Sequence, residues 1–530
     1  MNKVILHPFL LGAFPILFLF AHNARQFSLD VVAMPIAMSW LIALLGITVL
    51  GIILRDLRKA ALVVSLFLLL FFSYGHIYNV LADTRLVLFG VSIGAHELLF
   101  PVFGSILLVS SYVLLKLGAN LGKATGGFNV VAGFLVSISV VNIAVAGFSA
   151  EKWSQSTITS PTGGANPQVK IGPDGRPDIY YIVLDGYGRA DILEDLYDFD
   201  NSEWLSYLEE KGFYIANDSR ANYSQTALAL ASSLNGAYLD ELIGRMHGTS
   251  EDRKPLMGLI KNNFASEFLR ELGYTHVAFA SGYEVTEIEN ANIYRSPGWF
   301  SDEFLSAVFS TTPVPAVVGK IADLSPYDLH RRRIMYILDH LPDRIGDDGP
   351  QFIFAHVVAP HPPFVFGPNG EELNPRISYI EQGDGDHLIR TGGITRGEYI
   401  RRYRDQLKFI NEKLVETIDR IVENSPRRPI IILQADHGPG SLLVQESVER
   451  TYLKERLTIL NALLLPGVEG SELYDGISPV NTFRIIFNLY FGTQYELLED
   501  RSYFSAWTRP YEFIDVTDLM GVPLEETAAG

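Results

Sequence analysis

Three apolar runs in this chain end on side chains able to hold a metal ion or move a proton. IYYIVL (179–184) runs into Asp185, IIILQA (430–435) into Asp436 and His437, and FIFAHVVAP (352–360) into His361. A lone acid after a strand needs no chemistry, because it can simply cap the next helix. Three coincident cases make that explanation weaker, and two carboxylates with imidazole are an N/O donor set suited to zinc, with manganese or another divalent ion the alternative. A hydroxyl that is both ligand and nucleophile would complete such a centre, since a neighbouring cation makes it reactive near neutral pH. NYSQTALALASSLNG (222–236) offers candidates: Thr226 to Leu234 is a good helix former, which puts Thr226 at an amino terminus, where free NH groups and the helix dipole favour negative charge. An N-cap role for Ser224 or Thr226 is the competing explanation.

These residues need a scaffold, and the pattern of apolar runs describes one. Ile179 to Leu184, His276 to Ala280, Phe352 to Val358, Ile430 to Leu433 and Leu460 to Leu465 are short and almost continuously apolar, as expected of strands buried on both faces of a parallel sheet. Tyr403, Leu407, Ile410, Leu414, Ile418 and Ile421 recur at steps of three and four and predict an amphipathic helix. The fold class is therefore α/β, a largely parallel sheet flanked by helices, and in such sheets the site collects at the carboxyl ends of the strands.

The first third is different in kind. Five stretches, Val4 to Ala21, Val31 to Leu54, Ala60 to Leu81, Leu98 to Leu115 and Phe128 to Phe148, are long and apolar enough to cross a bilayer, which takes ~20 helical residues. Leu86 to Gly94 is apolar but too short and reads as interfacial or re-entrant. Residues 1–150 form this five-helix transmembrane region, 151–177 a Ser/Thr/Pro/Gly-rich linker, and 178–530 the external domain. Lys3, Arg55, Arg58, Lys59, Lys116 and Lys123 lie on one side, with only Arg25 and Arg85 on the other, so the amino terminus is expected inside and the domain outside. In a bacterium that means the plasma (inner) membrane, with the domain periplasmic or external. The first 150 residues carry a net charge of +4 and the remainder −22. So acidic a domain repels phosphate backbones, which excludes nucleic acid as a partner. With no cysteine anywhere, thiolate metal sites, disulfides and a cysteine-derived formylglycine are also excluded.

Taken in order, these segments resemble the alkaline phosphatase and sulfatase superfamily, in particular its membrane-anchored branch of phosphoethanolamine transferases and lipoteichoic acid synthases. LDGYGRAD, with Asp185, is similar to the first metal-ligand segment, and TALALASSLN to the segment whose threonine is the nucleophile. AHVVAPHPPF, with His356 and His361, resembles a segment with two histidines five apart, and ADHGPGSL, with Asp436 and His437, the DHGESL segment. The resemblance implies a divalent metal held by Asp185, Thr226, Asp436 and His437, with Thr226 rather than Ser224 as nucleophile. It also implies His361 as the group that protonates or holds the leaving oxygen. His356, Ser224 and Arg189 are candidate substrate contacts; a pair with Asp191 is the alternative for Arg189, and Tyr187 is a further lining residue. Two departures stand out: the chain lacks the transferases' cysteines, and residues 439–459 lack their further histidine. Asp386 and His387 in GDGDH could contribute to a second metal, a surface loop being the better explanation.

The activity so implied is transfer of a phospho-headgroup from a phospholipid donor to an envelope glycan or lipid through a phosphothreonine. A phosphodiesterase or phosphatase would use the same residues with water as acceptor, and a noncatalytic envelope scaffold would keep only the fold. Sulfate ester hydrolysis is disfavoured, because no CxPxR or SxPxR segment is present.

Overall fold

The computed structural model describes residues 4–24, 27, 29–81, 86–88, 91–116, 121–149, 175–243, 250–298, 303–318, 325–344, 349–374, 383–390, 393–468 and 472–520. Most of the expected linker, and the charges at Lys3, Arg25 and Arg85, lie outside them. The chain forms two compact units: Met1–Lys152 with Asp302–Leu329 and Ser378–Ile380, and Trp153–Ser301 with His330–Ile377 and Glu381–Gly530.

The first unit is built on α1 (His7–Asn23), α2 (Ala33–Leu54), α3 (Leu57–Leu81), α4 (Ala95–Lys116) and α5 (Leu121–Ser149). Four helical stretches among the described residues are long and apolar enough to cross a membrane; α1, at 17 residues, is shorter, so the expected five spans are an approximate count. Leu86–Leu88 and Val91–Ile93, β1 and β2, pair antiparallel, so the short apolar run there forms strands rather than a helix. Polar groups inside this unit are matched locally. Leu6 cannot cap α1, and Asn129 of α5 does so instead: its Oδ1 accepts the NH groups of Leu6 and His7, and its Nδ2 donates to the Val4 carbonyl. Gly12 lets α1 approach α2, since a Cβ there would come within 2.4 Å of Ser39 Oγ. Phe304 is fully buried against Phe20 and Phe27, and the Gly75 NH donates to the Thr311 carbonyl, so the 303–318 stretch packs as part of this unit.

The second unit holds a seven-stranded sheet of order β4-β9-β8-β3-β7-β5-β6, with β3 Ile179–Leu184, β4 Tyr214–Ile215, β5 Thr275–Phe279, β6 Ile293–Arg295, β7 Gln351–Val357, β8 Ile430–Gln434 and β9 Asn461–Leu464. β8, β3, β7, β5 and β6 run parallel, whereas β9 is antiparallel to β8. Every residue of β3, β7, β8 and β9 is buried, which explains their continuous apolar character. The predicted amphipathic helix is Arg396–Asn424, with all six stripe residues buried. Its start is set by Thr395, whose hydroxyl accepts the Glu398 NH. Val183 is in register with both His356 and Gln434, so Asp185, Asp436 and the segment after β7 emerge side by side at one edge.

Burial of a titratable group within β5 makes this unit sensitive to acid. His276 stacks on Phe352 with 2% of its surface exposed, and burial pushes its imidazole down to about 4. The unfolded chain binds the proton at the ordinary value, near 6.5, so stability falls as pH drops from 6.5 toward 4. The drop amounts to ~3 kcal/mol from this residue. In urea titrations of the full-length protein, His276→Phe should flatten that part of the pH profile; an unchanged slope would remove His276 as its source.

Candidate metal centre

Asp185 follows β3 through a tight turn that needs Gly186, whose φ of 70° lies in the left-handed region. The Gly186 NH and the His437 NH both donate to Asp436 Oδ1, at 3.2 and 2.9 Å, which ties the ends of β3 and β8 together. Gly438 is required by close approach, because a Cβ there would lie 2.1 Å from the Glu455 carbonyl oxygen. The helix Thr226–Ser233 starts beside these turns, every residue of it buried.

The geometry brings Thr226, Asp185, Asp436 and His437 to one point. His437 Nδ1 lies 2.9 Å from the Gly438 carbonyl, which can only accept, so Nδ1 carries hydrogen and Nε2 presents its lone pair. That Nε2 is 3.2 Å from Thr226 Oγ1, 3.6 Å from Asp185 Oδ1 and 3.4 Å from Asp436 Oδ2. Both of those carboxylate oxygens are buried without a hydrogen-bond partner. Two bare carboxylate oxygens and a nitrogen lone pair this close repel one another unless a cation lies among them. The donor set therefore fits a divalent ion, and its mixture of nitrogen and oxygen suits zinc. We expect about one zinc or manganese per chain in the native protein, and substantially less in Asp436→Ala. Full metal content in that variant removes Asp436 from the set.

Electrostatics agree with the geometry. Burial pushes Asp185 up, but opposing charge, His361 foremost, outweighs it and holds the carboxyl below its ordinary range. Burial, with Arg456 beside it, holds His437 down, which keeps it neutral as a ligand must be. His361 is pushed down by burial and more strongly up by Asp185 and Asp384, to about 9. Its Nδ1 faces the Pro362 carbonyl, its Nε2 lies 3.8 Å from Asp384 Oδ2, and its ring centroid is 6.0 Å from that of His437. With 18% of its side chain exposed, it is open to a bound molecule.

The other expected residues take varied places. Ser224 is buried two residues before Thr226, its Oγ without a partner and its carbonyl accepting from Arg456 Nε at 2.8 Å. His356, 0% exposed, lies with Nε2 3.3 Å from Asp185 Oδ2. Arg189 turns both arms of its fork to Asp191, at 2.8 and 2.9 Å, and Tyr187 is buried with its hydroxyl on Asn411. Asp386 accepts from Arg390 and the Gln445 NH.

Two residues were missed by sequence reasoning. Asp384 is the aspartate of GDGDH that reaches the site, and Arg456 the base that holds it, Nη1 to Oδ2 at 2.7 Å. Arg456 also donates to the carbonyls of Ser224 and Gly438, so one buried guanidinium links the loop before Thr226, the loop after β8 and Asp384. The signal available was weak: a single Arg in LKERL.

No protein-family model and no curated protein matches the chain. Among solved structures, the integral membrane lipooligosaccharide phosphoethanolamine transferase A of Neisseria meningitidis is similar over 92% of this chain and 94% of its own, at 13% identity and a TM-score of 0.38. The C-terminal periplasmic domain of EcEptC from Escherichia coli is similar over 68% of this chain and 97% of its own, at 11% identity and a TM-score of 0.43. The phosphonate monoester hydrolase of Agrobacterium radiobacter is similar over 62% and 80%, at 13% identity and a TM-score of 0.39. At such scores no residue role is carried over from them.

Proposed function

We propose that this chain is a membrane-bound, metal-dependent phosphotransferase that moves a phospho-headgroup from a phospholipid donor to an envelope glycan or lipid on the outer face of the membrane. The observation that carries this reading is Thr226 Oγ1 at a buried helix amino terminus, beside a nitrogen lone pair and two unpartnered carboxylate oxygens. Asp185, Asp436 and His437, with Thr226, would hold the cation. When bound, that cation lowers the pKa of a neighbouring hydroxyl and neutralises charge on phosphoryl oxygens.

Thr226 reacts in its deprotonated form, its proton having gone to solvent. The Oγ1–phosphorus bond forms as the bond from phosphorus to the lipid alcohol oxygen breaks, and His361 gives that oxygen its proton. In the second step an acceptor hydroxyl attacks phosphorus, its proton passes to His361, and the Thr226 oxygen leaves. The NH groups of the first helical turn face the phosphoryl oxygens in both steps. Apolar helices hold the domain at the bilayer, which raises the effective concentration of a lipid donor.

The test supplies full-length protein in vesicles with phospholipids carrying a labelled headgroup, phosphatidylethanolamine first, with and without envelope glycolipid. Label moving to the glycolipid supports transfer. Release to water alone in both arms makes the chain a hydrolase, and no turnover with any headgroup removes the catalytic reading.

A further inference from the structure

β5 ends at the same edge of the sheet as Asp185, and the segment after it makes a short helical turn, Glu284–Thr286, whose last residue, Thr286, is fully buried. Its Oγ1 lies 2.9 Å from His356 Nδ1, 3.1 Å from the Tyr283 carbonyl and 2.8 Å from Ser281 Oγ. A hydroxyl has one proton and two lone pairs. Donation to the Tyr283 carbonyl, which can only accept, leaves the Thr286 oxygen as acceptor for His356. With the hydrogen on Nδ1, Nε2 is left to present its lone pair. The surroundings of Nε2 agree: it lies 3.3 Å from Asp185 Oδ2 yet makes no hydrogen bond, as an Nε2–H aimed at that carboxylate would. His356, Asp185 and Asp436 offer three buried donor atoms all within 4.8 Å of one another.

We propose that Thr286 is a positioning residue for the cation centre: it fixes the Nδ1–H tautomer of His356 and thereby turns a further nitrogen donor toward Asp185. The inference rests on the metal-site reading given under Proposed function. Groups that orient a metal-binding imidazole through its second nitrogen set affinity as well as geometry, and their loss typically costs about 10- to 100-fold in binding. A threonine that only filled space would show no such effect, because valine has the same shape.

The test is zinc affinity of the full-length protein, measured by competition with a chromophoric chelator, for wild type, Thr286→Val, Thr286→Ser, His356→Gln and the double variant Thr286→Val/His356→Gln. The expected result is weaker zinc binding by about 10- to 100-fold in Thr286→Val. Thr286→Ser, which keeps the hydroxyl, should bind near wild type. The double variant should be no weaker than His356→Gln alone, because the hydroxyl acts through that ring. Wild-type zinc affinity in Thr286→Val, with or without a lower melting temperature, overturns the proposal and leaves the metal site standing. Absence of zinc binding in the wild type overturns both.

Discussion

Thr226→Ala is expected to abolish turnover, lowering kcat by at least ~1,000-fold, as loss of a nucleophile does. Four hydroxyls lie close together in this segment, so the assignment needs a physical reason. Ser232 and Ser233 are deep in the helix, bonded to the carbonyls of Ala237 and Leu230, and serve packing. Ser224 Oγ is buried and unpartnered, free to donate to a bound phosphate, but only Thr226 Oγ1 meets the His437 lone pair. Folding should survive the substitution. The helix starts without a side-chain cap, Thr226 is its first residue, and alanine is the better helix former. Ser224→Ala should weaken turnover modestly. After brief incubation with a phospholipid donor, fragmentation of the peptide spanning Ala221 to Arg245 should find the added phospho-headgroup on Thr226. An adduct on Ser224, or wild-type turnover in Thr226→Ala, would falsify the assignment.

Much of this site was readable from chain order because parallel strands announce themselves. β3, β7 and β8 are buried on both faces, so their runs are nearly continuous in apolar residues, and the acid or imidazole that follows each stands out. Thr226 was readable for a similar reason, as the start of a helix with no polar face. The Arg396–Asn424 helix showed its stripe because its other face meets water. What stayed hidden were contacts that depend on tertiary closure. Asp384 and Asp386 are indistinguishable in GDGDH, and only packing sends the first to Arg456 and the second to Arg390. β4 and β6, of two and three residues, are too short for a pattern to register, and β9 looks like its neighbours although it runs antiparallel. Thr286 is unremarkable in sequence, since its role depends on a histidine 70 residues away.

The Arg456–Asp384 pair carries the second large effect, this time on stability. Both side chains are nearly closed to solvent, at 4% and 6% exposure, so the ion pair is not screened as surface pairs are. Burial alone would raise the Asp384 carboxyl, yet Arg456 first and His361 next hold it well below the carboxylate range. Arg456→Met removes the charge that makes this burial tolerable, and we expect it to destabilise the second unit by about 3–5 kcal/mol. The same change releases the carbonyls of Ser224 and Gly438, so activity should fall further than stability alone explains. Lysine cannot reach three partners with one ammonium, and Arg456→Lys should recover only part of either property. Replacing both members by apolar residues of similar volume, Arg456→Met with Asp384→Leu, should restore much of the stability, because no charge is then left unpaired, while activity stays low. Denaturant titration of wild type, Arg456→Met, Asp384→Leu and the double variant gives the coupling energy directly. Additive losses, or single variants within about 0.5 kcal/mol of wild type, would show that water reaches the pair and that Arg456 does not hold these loops together.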